Sequence, residues 1–521
     1  LRTVLVHQRV DGAEPQGLTS GAVPGTPESR RWHDLDALRG FAMLLGIGLH
    51  AALSFYPSAW PVEDVTASAD GLLDEAVLAV HGFRMPLFFL LSGFFTALLW
   101  RRRGLSALLG HRMRRILIPL VLGVLLISPT VDWVADRAVE DQVVESGELA
   151  GAAYLGYEGA VGKMLDTGAD IDAPGADGFP PLYLAAVAGD EDMVELLLER
   201  GADPNALTAE GMAVDAAAYF GHEAIGEALV AAGSRDPRPA GGTWQAIPYW
   251  ALGSAEEAGV EEEEPGPLAW LPDLHHLWFL WFLILFVLLF APIAWLADRR
   301  RGRGGLEAPR ERWVGWLMWL LAPLVLLPQL AMEGGETIPA FGPDTSISWI
   351  PEPQVFAYYL LFFGFGALFH GAADRAGVPL VETAGRRWWL VLGVAVLVLL
   401  AGLQVTFREG DEMRVLASAL QVAYAWLMVF GLMGVFRAFL SNERYGVRYL
   451  SDSSYWQYLM HLTLVIALQA WVRTWDVPAL LKFGLIVVTT CALLLVTYQL
   501  FVRYTPIGTL LNGKRVRPSK E

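Results

Sequence analysis

Three ionisable residues lie in the first apolar segment of the chain: Asp36, Arg39 and His50. A charged side chain at the centre of a membrane helix costs about 2.5–3.5 kcal/mol, so such residues need a structural or chemical reason. Arg39 and His50 are separated by about three helical turns, about 16 Å, which predicts one stripe on one helix face. Asp36 falls on the same face and can pair with Arg39. Because imidazole exchanges a proton near neutral pH, His50 is the candidate acid–base residue.

Each of these residues also has a purely structural interpretation. Asp36 and Arg39 lie at the end of the segment, where side chains reach the membrane surface at little cost. His50 can be a hydrogen-bonded packing residue. Arg84 is harder to explain in that way, because it lies inside the second apolar segment beside Pro86. We therefore expect the Arg84 guanidinium to face the bundle interior.

Several familiar catalytic motifs are absent from the sequence. It has no Gly-x-Ser-x-Gly elbow, no Walker loop and no His-Glu-x-x-His pair, so we predict no metal site and no tightly bound cofactor. A metal site built on His276 and Asp273 is a weak alternative. The single cysteine, Cys491, excludes a disulfide framework. Gly46-Ile47-Gly48 and Gly364-Phe365-Gly366 indicate close helix packing rather than nucleotide binding.

The composition determines which elements must position these residues. Of the 521 residues, 54% are hydrophobic and 18% charged, below the roughly 25% charged residues of soluble proteins. The net charge of −17 argues against a nucleic-acid partner. Because a membrane helix needs about 20 apolar residues, the sequence predicts an all-α, polytopic membrane bundle. We count about ten segments, at 36–56, 78–100, 116–134, 276–297, 313–331, 354–371, 388–406, 414–439, 455–473 and 480–502.

The basic residues predict the orientation of this bundle. Arginines cluster within 101–115 and 299–312, whereas the loops at 57–72 and 332–353 contain no Lys or Arg. Since basic loops stay on the cytoplasmic side, we predict cytoplasmic tails at 1–35 and 504–521. The long segment between the third and fourth helices then faces outward.

That segment contains a repeat. Gly156-Tyr157-Glu158 recurs as Gly189-Asp190-Glu191 and as Gly221-His222-Glu223, a period typical of ankyrin repeats. The sequence therefore resembles an α-solenoid of ankyrin repeats inserted at 145–240, with an acidic Pro/Gly linker at 241–273. Such a stack offers a surface for a protein partner. The membrane domain is predicted at 36–134 and 274–503, on either side of the insert.

The membrane segments resemble the acyltransferase 3 family of membrane O-acyltransferases. The resemblance is closest to the branch that succinylates periplasmic glucans. It rests on Asp34-Leu35-Asp36-Ala37-Leu38-Arg39-Gly40 with His50, Phe83-Arg84-Met85-Pro86-Leu87-Phe88-Phe89-Leu90-Leu91-Ser92-Gly93-Phe94, Arg112-Met113-Arg114-Arg115-Ile116-Leu117-Ile118-Pro119, His276-Leu277-Trp278-Phe279-Leu280 and Ser454-Tyr455-Trp456-Gln457-Tyr458-Leu459-Met460-His461.

The resemblance implies transfer of an acetyl or succinyl group from cytoplasmic acyl-CoA, a co-substrate, to a hydroxyl of an extracytoplasmic glycan or glucan. His50 would be the general base or a transient acyl carrier, with Arg39 and Asp36 beside it. Arg112 and Arg115, at i and i+3, would bind CoA together with Arg84, although Arg112 and Arg115 also fit simple cytoplasmic retention. Residues that touch the substrate or support the site would be His276, Trp278, Ser454, Tyr455, Tyr458 and His461.

A transporter or receptor is the competing class of protein. Intramembrane His, Arg and Asp suit a solute path equally well on physical grounds. His276 and His461 also fit interfacial packing residues. The order of the family motifs favours the enzyme, and the halves of the helical region contain no inverted repeat that would indicate a transporter. We predict a multi-pass protein of the inner membrane, in contact with lipid.

Overall fold

The computed structural model describes residues 32–56, 60–67, 71–235, 268, 271–301, 312–332, 341–374, 378–406, 408, 410–513 and 515. Within these residues the secondary structure is helical, and the only β feature is an isolated bridge between Ala373 and Pro379. The predicted all-α class is confirmed. The predicted cytoplasmic tail at 1–35 and the linker at 241–273 lie largely outside the described residues.

Five helices form the first membrane part. The first ends in a 3-10 turn (Leu53–Phe55), and a π-helical turn (Met113–Leu117) joins the third to the fourth. The helices are α1 (His33–Ala52), α2 (Leu72–Arg103), α3 (Leu105–Arg112), α4 (Ile118–Leu126) and α5 (Ser128–Ser146).

The second membrane part begins with a 3-10 turn (His275–Leu277) and includes a π-helical turn (Tyr498–Val502). Its helices are α12 (Trp278–Arg301), α13 (Arg312–Leu324), α14 (Leu326–Leu330), α15 (Pro353–Gly371), α16 (Leu380–Thr383), α17 (Trp388–Thr406), α18 (Asp411–Leu440), α19 (Tyr445–Val472), α20 (Ala479–Thr497) and α21 (Pro506–Asn512).

Eight helical stretches within the described residues are long and apolar enough to cross a membrane. They are His33–Phe55, Leu72–Arg103, Leu105–Ser146, His275–Arg300, Pro353–Gly371, Trp388–Thr406, Glu412–Leu440 and Ala479–Val502. The other two predicted segments are also helical: α13 and α14 cover 313–331 except for Val325 and Ala331, and α19 covers 455–473 except for its last residue. Buried Gln457, His461 and Gln469 make α19 more polar than its neighbours. The polytopic bundle is therefore confirmed.

Glycines allow α2 and α15 to pack closely against each other. A Cβ atom placed on Gly93 would lie 1.9 Å from the carbonyl oxygen of Phe363, and one on Gly366 would lie 1.9 Å from that of Leu90. Close packing at Gly366 was predicted and is confirmed. Gly364 differs, because its added Cβ would meet only a side-chain carbon of Leu321 at 3.7 Å.

The insert consists of three short helix pairs with a hydrophobic core separate from that of the bundle. The helices are α6 (Leu149–Tyr154), α7 (Glu158–Asp166), α8 (Pro181–Ala188), α9 (Glu191–Glu199), α10 (Ala213–Phe220) and α11 (Glu223–Ala231). Gly189 and Gly221, with φ of 76° and 80°, end α8 and α10 in the left-handed conformation that glycine permits.

The insert is joined to the bundle by a continuous helix at its first junction. Residues 135–144, between the two predicted domains, are part of α5. Lys163 of α7 pairs with Asp141 of α5 at 3.0 Å, and Arg473 at the end of α19 forms an ion pair with Glu145. The apolar residues of α5 continue the packing of the bundle, so the helix extends directly from one part to the other.

Candidate active site

A cavity of about 40 Å³ lies where α1, α2, α12 and α19 meet. That volume has room for ordered water, since one water needs about 10–15 Å³. His50 and Gly46 line it from α1, and Arg84 lines it from α2. The other lining residues that the sequence predicted are His276, Trp278, Tyr458 and His461. Residues more than 400 positions apart in the chain are thus brought together.

Contacts between α1 and α19 position His50. The Ser451 hydroxyl donates to the backbone carbonyl of Asp36 at 2.8 Å, near the start of α1. The Gln469 amide donates to the backbone carbonyl of His50 at 2.9 Å, near its end. Gly40 allows the close approach, because a Cβ there would lie 2.9 Å from Cα of Ser451. His50 is therefore held on a helix anchored at both ends.

His50 and His461 form a hydrogen-bonded pair. Nδ1 of His50 lies 2.8 Å from Nε2 of His461, and Nδ1 of His461 lies 2.8 Å from the carbonyl oxygen of Tyr458. Because a carbonyl only accepts, His461 carries its proton on Nδ1, and its Nε2 accepts in the neutral form. His50 then donates from Nδ1. This assignment leaves a lone pair on Nε2 of His50, as a base or a nucleophile requires.

His276 completes a group of three histidine rings. Its ring lies edge-on to that of His461, with centroids 5.0 Å apart, and its Nε2 donates to the carbonyl of Leu459 at 3.2 Å. The Tyr458 hydroxyl donates to the backbone carbonyl of His276 at 2.6 Å.

Within the residues that the structure describes, no group of three or more His, Cys, Asp or Glu side chains could hold a metal ion.

Arg84 faces the interior, as predicted. In the described part of the chain it has no carboxylate partner, and its buried Nε has no hydrogen bond. Its charge acts on the rings of His50 and His461 and on the Tyr458 hydroxyl. A Cβ placed on Gly46 would lie 2.7 Å from Nη1 of Arg84, whereas one on Gly48 would meet nothing within 4 Å. The predicted close packing therefore holds at Gly46 and not at Gly48.

The remaining arginines lie away from the cavity. Arg39 is 3.8 Å from its predicted partner Asp36 and lies over the ring of Phe95 at 5.5 Å. Arg112 donates to the Thr96 hydroxyl at 2.8 Å. A Cβ placed on Gly513 would lie 2.5 Å from Nη2 of Arg115.

A π-helical turn, Met113–Leu117, begins directly after Arg112 and contains Arg115. Arg39, Arg112 and Arg115 lie close enough to repel one another, and such a group of guanidiniums attracts anions.

Two of the predicted supporting residues lie outside the cavity. Ser454 is buried, and its hydroxyl donates to the Ser451 carbonyl within α19. The Tyr455 hydroxyl donates to the Arg115 carbonyl at 2.7 Å, which ties α19 to the arginine group. The Tyr455 ring also stacks on that of Tyr458, which lines the cavity, with centroids 6.4 Å apart.

Sequence reasoning missed two residues beside His50. The ring of Trp60 stacks on that of His50 with centroids 5.8 Å apart, and its indole donates to the Gln469 side chain at 2.9 Å. Gln469 is buried in α19. An amide in an apolar segment was the available signal, because a buried amide needs hydrogen-bond partners.

These observations define a class of protein. They show an integral-membrane protein whose membrane-length helices enclose hydrogen-bonded histidines and an arginine that has no carboxylate partner among the described residues. The family model of acyltransferase 3, which describes an acyltransferase domain, matches residues 32–181 and 216–499 of the sequence. The chain belongs to this family. The gap in the match overlaps the ankyrin-repeat match at residues 177–209.

The chain is also similar to known proteins of Salmonella. Glucans biosynthesis protein C from Salmonella heidelberg, Salmonella agona and Salmonella enteritidis is in each case 34% identical over 98 residues. The match covers 19% of this chain and 25% of each relative. The chain thus spans about a quarter of the length of these relatives, and the similarity agrees with the predicted branch.

Proposed function

We propose that this enzyme moves an acetyl or succinyl group from acyl-CoA to a hydroxyl of a glycan or glucan, with His50 as the proton acceptor. The observation that carries the proposal is the hydrogen bond between Nδ1 of His50 and Nε2 of His461. It orients a free lone pair within a cavity that also holds the Arg84 guanidinium. A solute path through a transporter does not require the proton of His50 to be fixed on Nδ1.

The proposed reaction uses few groups. Nε2 of His50 takes the proton of the acceptor hydroxyl, and the oxygen forms the new ester bond to the acyl carbon. The carbon–sulfur bond of the thioester breaks, and His50 returns the proton to the leaving thiolate. Arg84 orients the acyl carbonyl and stabilises the negative charge that develops on its oxygen. The buried cavity protects the thioester from hydrolysis.

The proposed orientation follows from the arrangement of the arginines. Arg39, Arg112 and Arg115 would face the cytoplasm, where acyl-CoA is present, and the insert would lie outside the inner membrane. His50 is near the opposite end of α1 from Arg39. The acyl group would therefore enter at the arginine end and leave towards an outer acceptor. The insert would recruit a protein or the native acceptor on that side.

Mass spectrometry of periplasmic glycans tests this function. Cells with the protein are expected to contain glycans carrying added acetyl or succinyl mass, and cells lacking it are expected to lose that mass. Cells that express the His50→Ala variant should match cells lacking the protein. Unchanged glycan masses in all three strains would contradict the proposal.

Replacing both Arg112 and Arg115 by Gln is expected to weaken acyl-CoA binding by about tenfold or more, because charged hydrogen bonds contribute about 1.5–3 kcal/mol each. The measurement is CoA affinity in detergent. Arg114→Gln is the matched control, since Arg114 is exposed on the same turn and should leave affinity unchanged. Equal CoA affinities for the unmodified protein, the double variant and Arg114→Gln would show that Arg112 and Arg115 do not bind the donor.

Gly46→Ala is expected to lower acyl transfer by about 10-fold to 100-fold, because the new methyl group would displace the Arg84 guanidinium from its position beside His50. Gly48→Ala is the matched control on the same helix, with open space around its Cβ. Initial rates at saturating donor compare the two variants. Equal rates would show that the position of Arg84 does not matter to transfer.

A further inference from the structure

A second, larger cavity of about 260 Å³ lies at the end of the bundle that carries Arg115. It is formed by the start of α19, the residues that follow α20 and the segment after α21. None of its lining residues belongs to the histidine cavity, and none was predicted as a site residue. Its volume is close to the lower limit of small-molecule pockets, about 300 Å³.

The charges of this pocket favour an anion. Arg448, Arg503 and Arg515 line it together with one carboxylate, Asp452. Arg515 forms an ion pair with Asp452, and Arg448 forms one with the neighbouring Glu443. Positive charge therefore remains in excess, and guanidinium groups bind phosphate with two parallel hydrogen bonds.

Arg503 carries the unbalanced charge. Its Nη1 donates to the Gln499 side chain at 3.0 Å, and its Nη2 lies 3.4 Å from the Tyr445 hydroxyl. Its buried Nε has no hydrogen bond, and no carboxylate pairs with it among the residues that the structure describes. Both neighbours are uncharged, so the guanidinium remains available to a ligand.

Aromatic rings make the pocket suitable for a planar group. The Arg503 guanidinium lies over the rings of Tyr449 and Tyr504, at 4.8 and 5.2 Å from their centroids. The Tyr445 and Tyr449 rings are 6.4 Å apart and within 27° of parallel. Nucleobases stack on tyrosine rings and on guanidinium planes, whereas a lipid headgroup has no aromatic ring to stack.

The pocket is next to the arginine group that we assign to the donor. A Cβ on Gly513 would lie 2.5 Å from Nη2 of Arg115, and Arg515 follows two residues later. Asp452 of the pocket precedes His461 by nine residues on α19, about 14 Å along the helix axis. An extended phosphopantetheine arm covers that distance.

We propose that this pocket binds the adenosine 3′-phosphate end of the acyl donor, a step that rests on the proposed function. The tyrosines would stack on the adenine, and Arg503 and Arg515 would bind the 3′-phosphate. Arg112 and Arg115 would then contact the pyrophosphate, and the pantetheine arm would extend towards His50. The pocket sets the preference for a CoA thioester over a thioester without the nucleotide.

Binding of adenosine 3′,5′-bisphosphate to the full chain in detergent is the first test. We expect saturable binding that weakens about tenfold or more in Arg503→Gln and recovers partly in Arg503→Lys, which restores the charge. Arg387→Gln, an exposed arginine outside the pocket, is the matched control and should bind normally. Absence of binding to the unmodified protein, or equal binding by Arg503→Gln, would overturn the proposal.

A donor lacking the 3′-phosphate gives a second test that does not depend on any variant folding correctly. In the unmodified enzyme we expect the KM for acyl-dephospho-CoA to be about tenfold or more above the KM for acyl-CoA, with kcat unchanged. In Arg503→Gln the KM for acyl-dephospho-CoA should rise no further, because the phosphate that Arg503 would bind is already absent. Equal KM values for both donors would overturn the 3′-phosphate assignment. Nucleotide binding without acyl transfer from any CoA thioester would instead contradict the proposed function and leave the pocket assignment intact.

A lipid headgroup is the other source of phosphate that the experiment must separate. Nanodiscs of phosphatidylglycerol and of phosphatidylcholine, loaded with the same protein, should bind adenosine 3′,5′-bisphosphate with equal affinity. Weaker nucleotide binding in phosphatidylglycerol that persists when salt screens the surface charge would show that the anionic headgroup occupies the pocket, which would overturn the assignment to the donor.

Discussion

His50→Ala is expected to reduce acyl transfer by about 10²–10⁴-fold, the range for removing a general base. The variant should fold and insert normally, because α1 is held by contacts of Asp36 and of the His50 backbone that do not need the imidazole. The measurement is the initial transfer rate to a soluble acceptor in detergent, with the elution volume of the protein as the check on folding. Near-normal transfer by a folded variant would refute the role of His50.

Variants of His461 test how His50 is oriented. His461→Gln keeps an acceptor for Nδ1–H of His50, whereas His461→Leu removes it and allows the proton to move to Nε2. A wrong histidine tautomer lowers catalysis by up to about 10⁴-fold in serine proteases. We therefore expect His461→Gln to retain much more activity than His461→Leu. Equal activity of the two would show that His461 acts by packing alone.

The kinetics also separate the two roles open to the His50 lone pair. An acyl-histidine carrier would release one equivalent of CoA before any acceptor is added, and the enzyme would keep the acyl mass. A general base would release CoA only with the acceptor present. Rapid-quench measurement of CoA release without acceptor distinguishes these routes, and we expect no such release.

Lys482→Met is expected to destabilise the fold by about 3–5 kcal/mol, because it leaves a buried carboxylate without its counter-charge. Lys482 Nζ lies 2.9 and 3.0 Å from the two oxygens of Asp64, and both side chains are almost fully buried. Lys482 also donates to the Arg473 carbonyl at 3.0 Å. The pair holds the loop after α1 against the start of α20. Thermal denaturation in detergent measures the loss.

The double variant Lys482→Met/Asp64→Asn should recover much of that loss, because no unpaired charge remains. Lys163→Met is the matched control, since Lys163 pairs with Asp141 at 3.0 Å but is 34% exposed. Such partly exposed pairs contribute only about 0.2–1 kcal/mol. A Lys482→Met protein as stable as the Lys163→Met control would show that the buried pair contributes little.

Local pattern was sufficient to predict the elements of this protein. Runs of about 20 apolar residues must form helices in a membrane, because no water is present there to satisfy the backbone. All ten predicted segments are helical, and the periodic insert contains helix pairs at the expected spacing. The same reasoning identified His50, Arg84 and Arg39 as unusual, because a polar group in an apolar segment is costly wherever the segment packs.

The partners of those residues depended on the tertiary structure. His50 and His461 are 411 residues apart, and no periodicity relates α1 to α19.

The sequence by itself determined the class of helices, the costly residues and the family motifs, since these depend on composition and local spacing. The tertiary structure alone decided the histidine pair, the Lys482–Asp64 pair and the second pocket. The two pairs join residues 411 and 418 positions apart, and the pocket joins three separate segments between Tyr445 and Arg515. Side-chain packing, such as that of Gly40 on Ser451, decides which surfaces meet. Such packing depends on both of the surfaces that meet. The spacing of residues along one helix contains no information about the surface of the helix that packs against it.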